Sequence, residues 1–164
     1  MKIIQLTIGG MDKKQLIATL EEKQVFLNPL GHQLLEQLDD FKFWHEQTIR
    51  LVEVTVAKLG LSQGGTLLEV FISGIKKGFA LCEVEIAALL SLDYNYLEDS
   101  IGLISTGKAP TNSVTIASKI LIDTDDFPKG FYMRKIDNVC WLRGYTCDHL
   151  HVFAPEDRFM FLIN

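Results

Sequence analysis

Helical spacing of apolar residues begins twice near the start of the chain. Asp12 stands where an N-cap belongs and has Gln15 three residues later, which is the spacing of a capping box, so we predict a helix over residues 13–23. The pair Asn28-Pro29 marks a second start, because proline loses no hydrogen bond at the first position of a helix. The two segments predict a pair of short helices that pack against each other.

A third helical segment is the best bounded of the chain. Thr66 and Glu69 repeat the capping-box spacing, and Gly78 suits the left-handed residue that ends a helix. The apolar positions between them form a broad belt, so we expect this helix to be largely buried. Residues 83–90 fit a short helix or a buried strand, because their apolar run has no decisive period.

Alternation of apolar and polar residues predicts the strands. A short strand is expected over residues 3–8, and the main strands are expected over residues 51–57, 113–122, 131–136, 139–145 and 158–163. Residues 39–49 and 93–112 are polar or rich in turn residues and predict loops. The last strand is almost wholly apolar, which indicates a strand that is central or covered on both faces.

These elements predict one α+β domain over residues 1–164. No repeat, low-complexity tract or shift in composition marks a domain boundary. We expect an antiparallel or mixed sheet of about five strands, with the helices packed on one face. The N-terminal helical pair of residues 12–39 is expected to pack on an α+β core of residues 50–164.

Residues 131–145 predict a β-hairpin with a defined register. Asp137 and Asn138 separate two β-rich runs, and both tolerate the positive φ of a two-residue hairpin turn. That turn sets the facing pairs, which are Ile136–Val139, Arg134–Trp141, Met133–Leu142, Tyr132–Arg143 and Phe131–Gly144. One face of the hairpin then carries an apolar set suited to the core: Phe131, Met133, Cys140 and Leu142.

The opposite face of the hairpin carries rings and guanidinium groups. We call it the aromatic–arginine face, and its members are Tyr132, Arg134, Trp141, Arg143 and Tyr145. Arginine binds a carboxylate or phosphate through two parallel N–H donors, and aromatic rings stack on planar groups. The face therefore predicts a site for a protein partner or an anionic small molecule. The competing interpretation is a sheet face whose side chains satisfy one another beneath helices or the long loop. Since no intact catalytic motif accompanies the face, we favour a non-enzymatic binding or accessory protein.

Charge and composition narrow the class of partner. Acidic residues outnumber basic ones by 21 to 16, with the excess in the second half of the chain, so we expect no nucleic-acid partner. The N-terminal apolar run is too short for a signal peptide, and no apolar stretch reaches the roughly 18 residues of a membrane helix. The three cysteines lack CxxC spacing and indicate reduced thiols. We therefore expect a cytoplasmic protein with no cofactor and no membrane partner; its oligomeric state stays open, a homodimer included.

Two alternatives involve other residues. Acidic and imidazole side chains of the second half could surround a metal in a small hydrolase: Asp125, Asp126, Asp148, His149 and His151. Cys147 would point the same way as the two histidines on an extended chain, which zinc could use. The acidic segment 83–99 would suit an immunity or antitoxin-type protein that neutralises a basic partner. Residues 102–108 match most of a phosphate-binding loop, but Ala109 replaces the Ser or Thr that would hold magnesium, so that assignment is rejected.

Three C-terminal runs resemble a family of small bacterial proteins of unknown function. They are Phe127-Pro128-Lys129-Gly130-Phe131-Tyr132, Trp141-Leu142-Arg143-Gly144-Tyr145 and Pro155-Glu156-Asp157-Arg158-Phe159. The strand of residues 52–59 with its Gly-Thr-capped helix, and Leu81-Cys82, are similar to that family as well. The resemblance spans most of residues 50–164 and implies a bacterial single-domain protein. It implies no activity and no catalytic residues.

Overall fold

The computed structural model describes residues 1–39, 45–94, 97–98 and 112–164. The α-helices in these residues are α1 (Lys13–Glu22), α2 (Pro29–Gln37), α3 (Leu67–Lys76) and α4 (Glu85–Ser91). The strands are β1 (Lys2–Ile8), β2 (Phe26–Leu27), β3 (Gln47–Thr55), β4 (Gly65–Thr66), β5 (Phe79–Ala80), β6 (Val114–Ile116), β7 (Gly130–Ile136), β8 (Val139–Tyr145), β9 (Val152–Phe153) and β10 (Arg158–Ile163). A short 3-10 helix, Ala57–Leu59, follows β3.

Most strands join one mixed sheet in the order β1-β3-β10-β6-β7-β8-β2, and β5 also pairs with β10. β10 lies in the middle of the sheet, antiparallel to β3 and parallel to β6, which confirms its predicted central position. β4 and β9 form a separate two-stranded sheet. The predicted α+β class is confirmed. Within the described residues the main sheet has eight strands rather than about five, because β1, β2 and β5 also pair.

The helices cover both faces of the sheet, so the prediction of helices on one face was wrong. Successive residues of a strand point to opposite faces. Leu51 belongs to one apolar cluster with residues of α1, α2 and α4, whereas Val52 belongs to a second cluster with residues of α3. Along β10, Phe159, Met160 and Phe161 are each 0 % exposed. Because these three residues alternate between the faces, both faces of β10 require an apolar cover.

β3 is longer than the alternation predicted. It begins at Gln47, inside the predicted loop over residues 39–49, because β1 pairs with it from Gln47 onwards and supplies partners to its polar end. Residues 40–44 of that loop lie outside the described residues. So do residues 99–111, which hold most of the other predicted loop and the fragment that matches a phosphate-binding loop.

β6 is shorter than predicted. It ends at Ile116 although alternation continues to residue 122, because β5 occupies the adjoining position on β10 at Leu162. The chain then leaves the sheet, and Ile120 and Ile122 are exposed instead of facing the core. A predicted strand of ten residues is therefore reduced to three by competition for one edge of β10.

Local sequence signals set the helix starts as predicted. Asp12 and Thr66 each accept a hydrogen bond from the backbone N–H three residues later, and Gln15 and Glu69 return a bond to complete both capping boxes. Asn28 caps α2, with proline in its first turn. These caps satisfy N–H groups that a helix cannot satisfy itself.

α3 is less buried than its apolar belt predicted. Its core-facing residues pack on the sheet: Leu67, Val70, Phe71 and Gly74. Three large residues on another side are exposed: Leu68, Ile72 and Ile75. The undecided segment over residues 83–90 forms most of α4, in which every residue is buried. Among the described residues, no helix has the length and apolar character needed to cross a membrane.

The start of α2 sits directly on β8 at Gly144. A Cβ atom built on Gly144 would lie 2.6 Å from the carbonyl carbon of Leu30 and 2.7 Å from the amide nitrogen of Gly31. Such distances leave no room for a side chain. Gly144 therefore allows the helix backbone to contact the strand that also carries Trp141 and Arg143.

Candidate functional site

The hairpin that carries the aromatic–arginine face has the predicted register. Asp137 and Asn138 have φ values of 48° and 62°, the left-handed values of a two-residue hairpin turn. β7 and β8 pair antiparallel at every predicted position, with Arg134 opposite Trp141. The core-facing side chains are each 0 % exposed, as expected for Phe131, Met133, Cys140 and Leu142.

The aromatic–arginine face is partly open to solvent. Arg134 is 3 % exposed. The other members of the face are half-buried: Tyr132, Trp141, Arg143 and Tyr145. Trp141 is therefore not fully buried, and the face places half-buried aromatic residues beside the deeply buried Arg134.

Trp141 lies next to the ring of Phe26 and to the guanidinium of Arg143, which is two residues further along β8. The ring centroids of Phe26 and Trp141 are 4.9 Å apart, with a tilt of 32°. Cζ of Arg143 lies 5.9 Å from the Trp141 centroid, within cation–π range. Phe26 reaches this position because β2 pairs in parallel with β8 and places Phe26 beside Trp141. Sequence reasoning missed Phe26, and the only available signal was the apolar connector of residues 25–27.

The two arginines of the face influence each other. Burial lowers the pKa of Arg134 below its ordinary value; Tyr132 opposes this shift, and the positive charge of Arg143 adds to it. Like charges on neighbouring strands repel, so an anion near both guanidinium groups would be attracted by both.

Two polar atoms of the face are buried and have no hydrogen-bond partner among the described residues. They are Nε of Arg143 and the hydroxyl oxygen of Tyr145. The two residues are two positions apart on β8, so both side chains lie on the same side of the sheet. Burial raises the pKa of Tyr145 well above its ordinary value, with Cys147 adding to the shift, so the phenol stays protonated. A buried donor without an acceptor costs about 1–3 kcal/mol, which a ligand oxygen would recover.

The residues of the metal hypotheses do not converge in the described part of the chain. Oδ1 of Asp148 accepts hydrogen bonds from the backbone N–H groups of Leu150 and His151, each at 2.9 Å. The His151 ring packs edge-on against Phe153, with 4.8 Å between ring centroids. Burial raises the pKa of the Cys147 thiol and so disfavours the thiolate that binds zinc. Across the described residues no group of three or more His, Cys, Asp or Glu side chains is placed to hold a metal ion.

The acidic segment of residues 83–99 is only partly a surface feature. Glu85 is buried within α4, and Glu83 forms an ion pair with Lys119. Asp93 and Glu98 are exposed. Two of its described carboxylates are thus buried or paired, and the immunity or antitoxin-type hypothesis stays a prediction.

The resemblance to a family of small bacterial proteins stays a prediction as well, and it assigns no role to any residue. Comparison of the chain with protein-family models, curated proteins and solved structures finds no match in any of the three.

Proposed function

We propose that the protein is a non-enzymatic binding protein whose aromatic–arginine face holds an anionic group. The observation that supports this function best concerns Arg143. Its Nε is buried with no hydrogen-bond partner among the described residues. Its positive charge also contributes to lowering the pKa of Arg134. An oxyanion would supply the missing acceptor and offset the repulsion between the two arginines.

The rings beside Arg143 define the rest of the ligand. Trp141 and Phe26 form an accessible aromatic pair next to the guanidinium. Phe26 is 46 % exposed, so the pair can receive a planar apolar group. A small molecule with an anionic group beside a planar ring fits this surface better than a bare inorganic ion. An acidic side chain of a protein partner, with a neighbouring aromatic residue, would meet the same chemistry.

Trp141 itself provides the readout of binding. The chain has two tryptophans, so Trp44→Phe leaves Trp141 as the single indole. We would titrate that variant with inorganic phosphate, an aliphatic carboxylate and an aromatic carboxylate, and follow the indole emission. Saturable quenching is expected, strongest with the aromatic carboxylate. Arg143→Ala should weaken the affinity by about tenfold or more, because a charge-assisted hydrogen bond is lost.

Two further variants separate the face from general charge. Arg50→Ala removes the same positive charge from an exposed position on β3 and should leave the affinity unchanged. Arg143→Lys keeps the positive charge but loses the pair of parallel N–H donors of the guanidinium. Its affinity should therefore lie between those of the parent and Arg143→Ala. Equal affinities for folded Arg143→Ala and Arg50→Ala would contradict the proposal. The absence of any saturable response to the three anions would also contradict it.

A further inference from the structure

α3 carries a second apolar stripe that faces solvent. The residues of this stripe lie four and three positions apart, which places them on one side of the helix: Leu68, Ile72 and Ile75. Their exposed fractions are 67 %, 42 % and 53 %. The core-facing residues of the same helix are buried, so the stripe is not the face that holds α3 on the sheet. We call it the α3 ridge.

A further exposed apolar residue lies near the start of α3. β4 pairs with β9, which places Val152 beside Thr66, the N-cap of α3. Val152 is 56 % exposed. Single exposed apolar residues are ordinary on protein surfaces, whereas a row along one helix is a candidate surface for binding a partner.

Two charged residues at the border of the α3 ridge are spaced so that they can pair across a two-fold axis, and Oε2 of one of them, Glu69, is also an acceptor in the capping box of α3. Glu69 lies in the first turn of α3 and Lys76 in the last turn. On a helical wheel both project from the same side of the ridge, the side turned away from the sheet. Both are also equally far along the helix from the point between Ile72 and Ser73. A two-fold axis through that point places Glu69 of each copy beside Lys76 of the other.

We propose that α3 pairs antiparallel with α3 of a second copy of this chain, with Ile72 near the two-fold axis. The pairing buries both ridges and places opposite charges together along their border. A ten-residue helix is only about 15 Å long, so the contact is smaller than the roughly 800 Å² per partner of a standard interface. The dimer is therefore weak, reversible and dependent on concentration. α3 itself carries no residue of the aromatic–arginine face.

Sedimentation over a range from low micromolar to millimolar protein tests the association. The parent chain should pass from monomer to dimer, and Ile72→Glu should remain monomeric, because it places two carboxylates at the axis. Leu121→Glu is the matched control, since Leu121 is exposed to a similar extent (41 %) but lies outside α3. Circular dichroism checks that each variant is folded, and Ile75→Lys replaces Ile72→Glu if the latter is not. A parent chain that stays monomeric, or a folded ridge variant that dimerises like the parent, would overturn the proposal.

Cysteine cross-linking tests the antiparallel geometry. In a Cys147→Ser background, Ile72→Cys should form an intermolecular disulfide readily, because the two sulfur atoms meet near the axis. Leu68→Cys should not, since the two copies of residue 68 would be about 13 Å apart along the helix, beyond disulfide reach. Equal cross-linking at both positions would indicate a parallel pair and overturn the geometry proposed.

Discussion

Asn28 and Gly144 are joined by two hydrogen bonds, although they lie far apart in the sequence. Nδ2 of Asn28 donates to the carbonyl oxygen of Gly144 at 2.9 Å, and the amide of Gly144 donates to Oδ1 of Asn28 at 2.8 Å. The same Oδ1 accepts the amide of Gly31 at 2.8 Å. One side chain thus caps α2 and extends the hydrogen bonding of β8. The helical pair and the aromatic–arginine face are therefore fixed to each other at this point.

Asn28→Ala should lower the free energy of unfolding by about 2–3 kcal/mol. The variant loses a helix cap and two hydrogen bonds to a buried glycine backbone. Asn28→Asp keeps the acceptor oxygen but turns the donor into a second acceptor that faces the carbonyl oxygen of Gly144, so it should also destabilise the fold. Urea unfolding at fixed pH measures both values. Asp12→Ala is the control, since it removes the N-cap of α1 alone and should cost about 1 kcal/mol. Equal losses for Asn28→Ala and Asp12→Ala would show that the bonds to Gly144 contribute nothing.

Gly144→Ala should destabilise the fold by about 1–3 kcal/mol, because its Cβ would overlap the backbone of α2 and force the helix away from β8. Gly65→Ala is the comparison. The nearest atom to a Cβ at Gly65 is the end of the Leu61 side chain, at 2.8 Å, which can move at low cost. Denaturant unfolding of both variants checks the difference. An equal or smaller loss for Gly144→Ala would contradict the close docking of α2 on β8.

Acid should destabilise the protein through the pair formed by Lys129 and Asp123. The Lys129 side chain is 6 % exposed and donates to Oδ1 of Asp123 at 2.8 Å. That hydrogen bond, and then the charge of Lys129, hold the pKa of Asp123 below its ordinary value of 3.8. The unfolded chain therefore binds more protons in the acid range, and stability falls as the pH drops below about 4 towards the folded-state pKa.

Asp123→Asn should remove this part of the acid dependence and lower the melting temperature at neutral pH. Thermal unfolding between neutral pH and the acid range measures both effects. Asp125→Asn, at an exposed position two residues away, is the control and should retain the acid dependence. The same acid profile in Asp123→Asn as in the parent would rule out a contribution of the pair.

The cysteines should react at different rates in the folded protein. Cys82 and Cys140 are each 0 % exposed, and burial raises the pKa of both thiols to about 12, with Glu83 adding to the shift at Cys82. At about pH 8 very few of these thiols are then ionised, and alkylation requires the thiolate. Cys147 is half-buried and should be modified first. Mass spectrometry of a time course with iodoacetamide assigns each rate. Modification of Cys82 or Cys140 as fast as Cys147 would contradict the burial described.

Local signals allowed the hairpin and the helix starts to be predicted. The turn at Asp137 and Asn138 permits one register, and a shift by one residue would turn the apolar set to solvent. Capping boxes are similarly local, since every partner lies within three residues. The members of the aromatic–arginine face follow from the same register, which is why they could be named without a structure.

Competition between distant segments could not be predicted. β6 stops early because β5 pairs with the same edge of β10. No sequence signal near Ile116 indicates this competition. Phe26 joins the candidate site through a strand of two residues, too short to show a period. The apolar residues on both sides of β10 did indicate cover on both faces. The sequence did not show which helix would lie on which side.

The two outer strands of the main sheet differ in what they leave open to other chains. β2 is two residues long and is soon followed by Pro29, so it presents almost no backbone hydrogen bonds to an incoming strand. β1 is seven residues long, and in the described part of the chain its outer edge pairs with no strand. Aggregation of a partly unfolded population should therefore begin at β1. Ile3→Lys, at a residue that is 60 % exposed, should slow the growth of aggregates measured by light scattering without changing the fold.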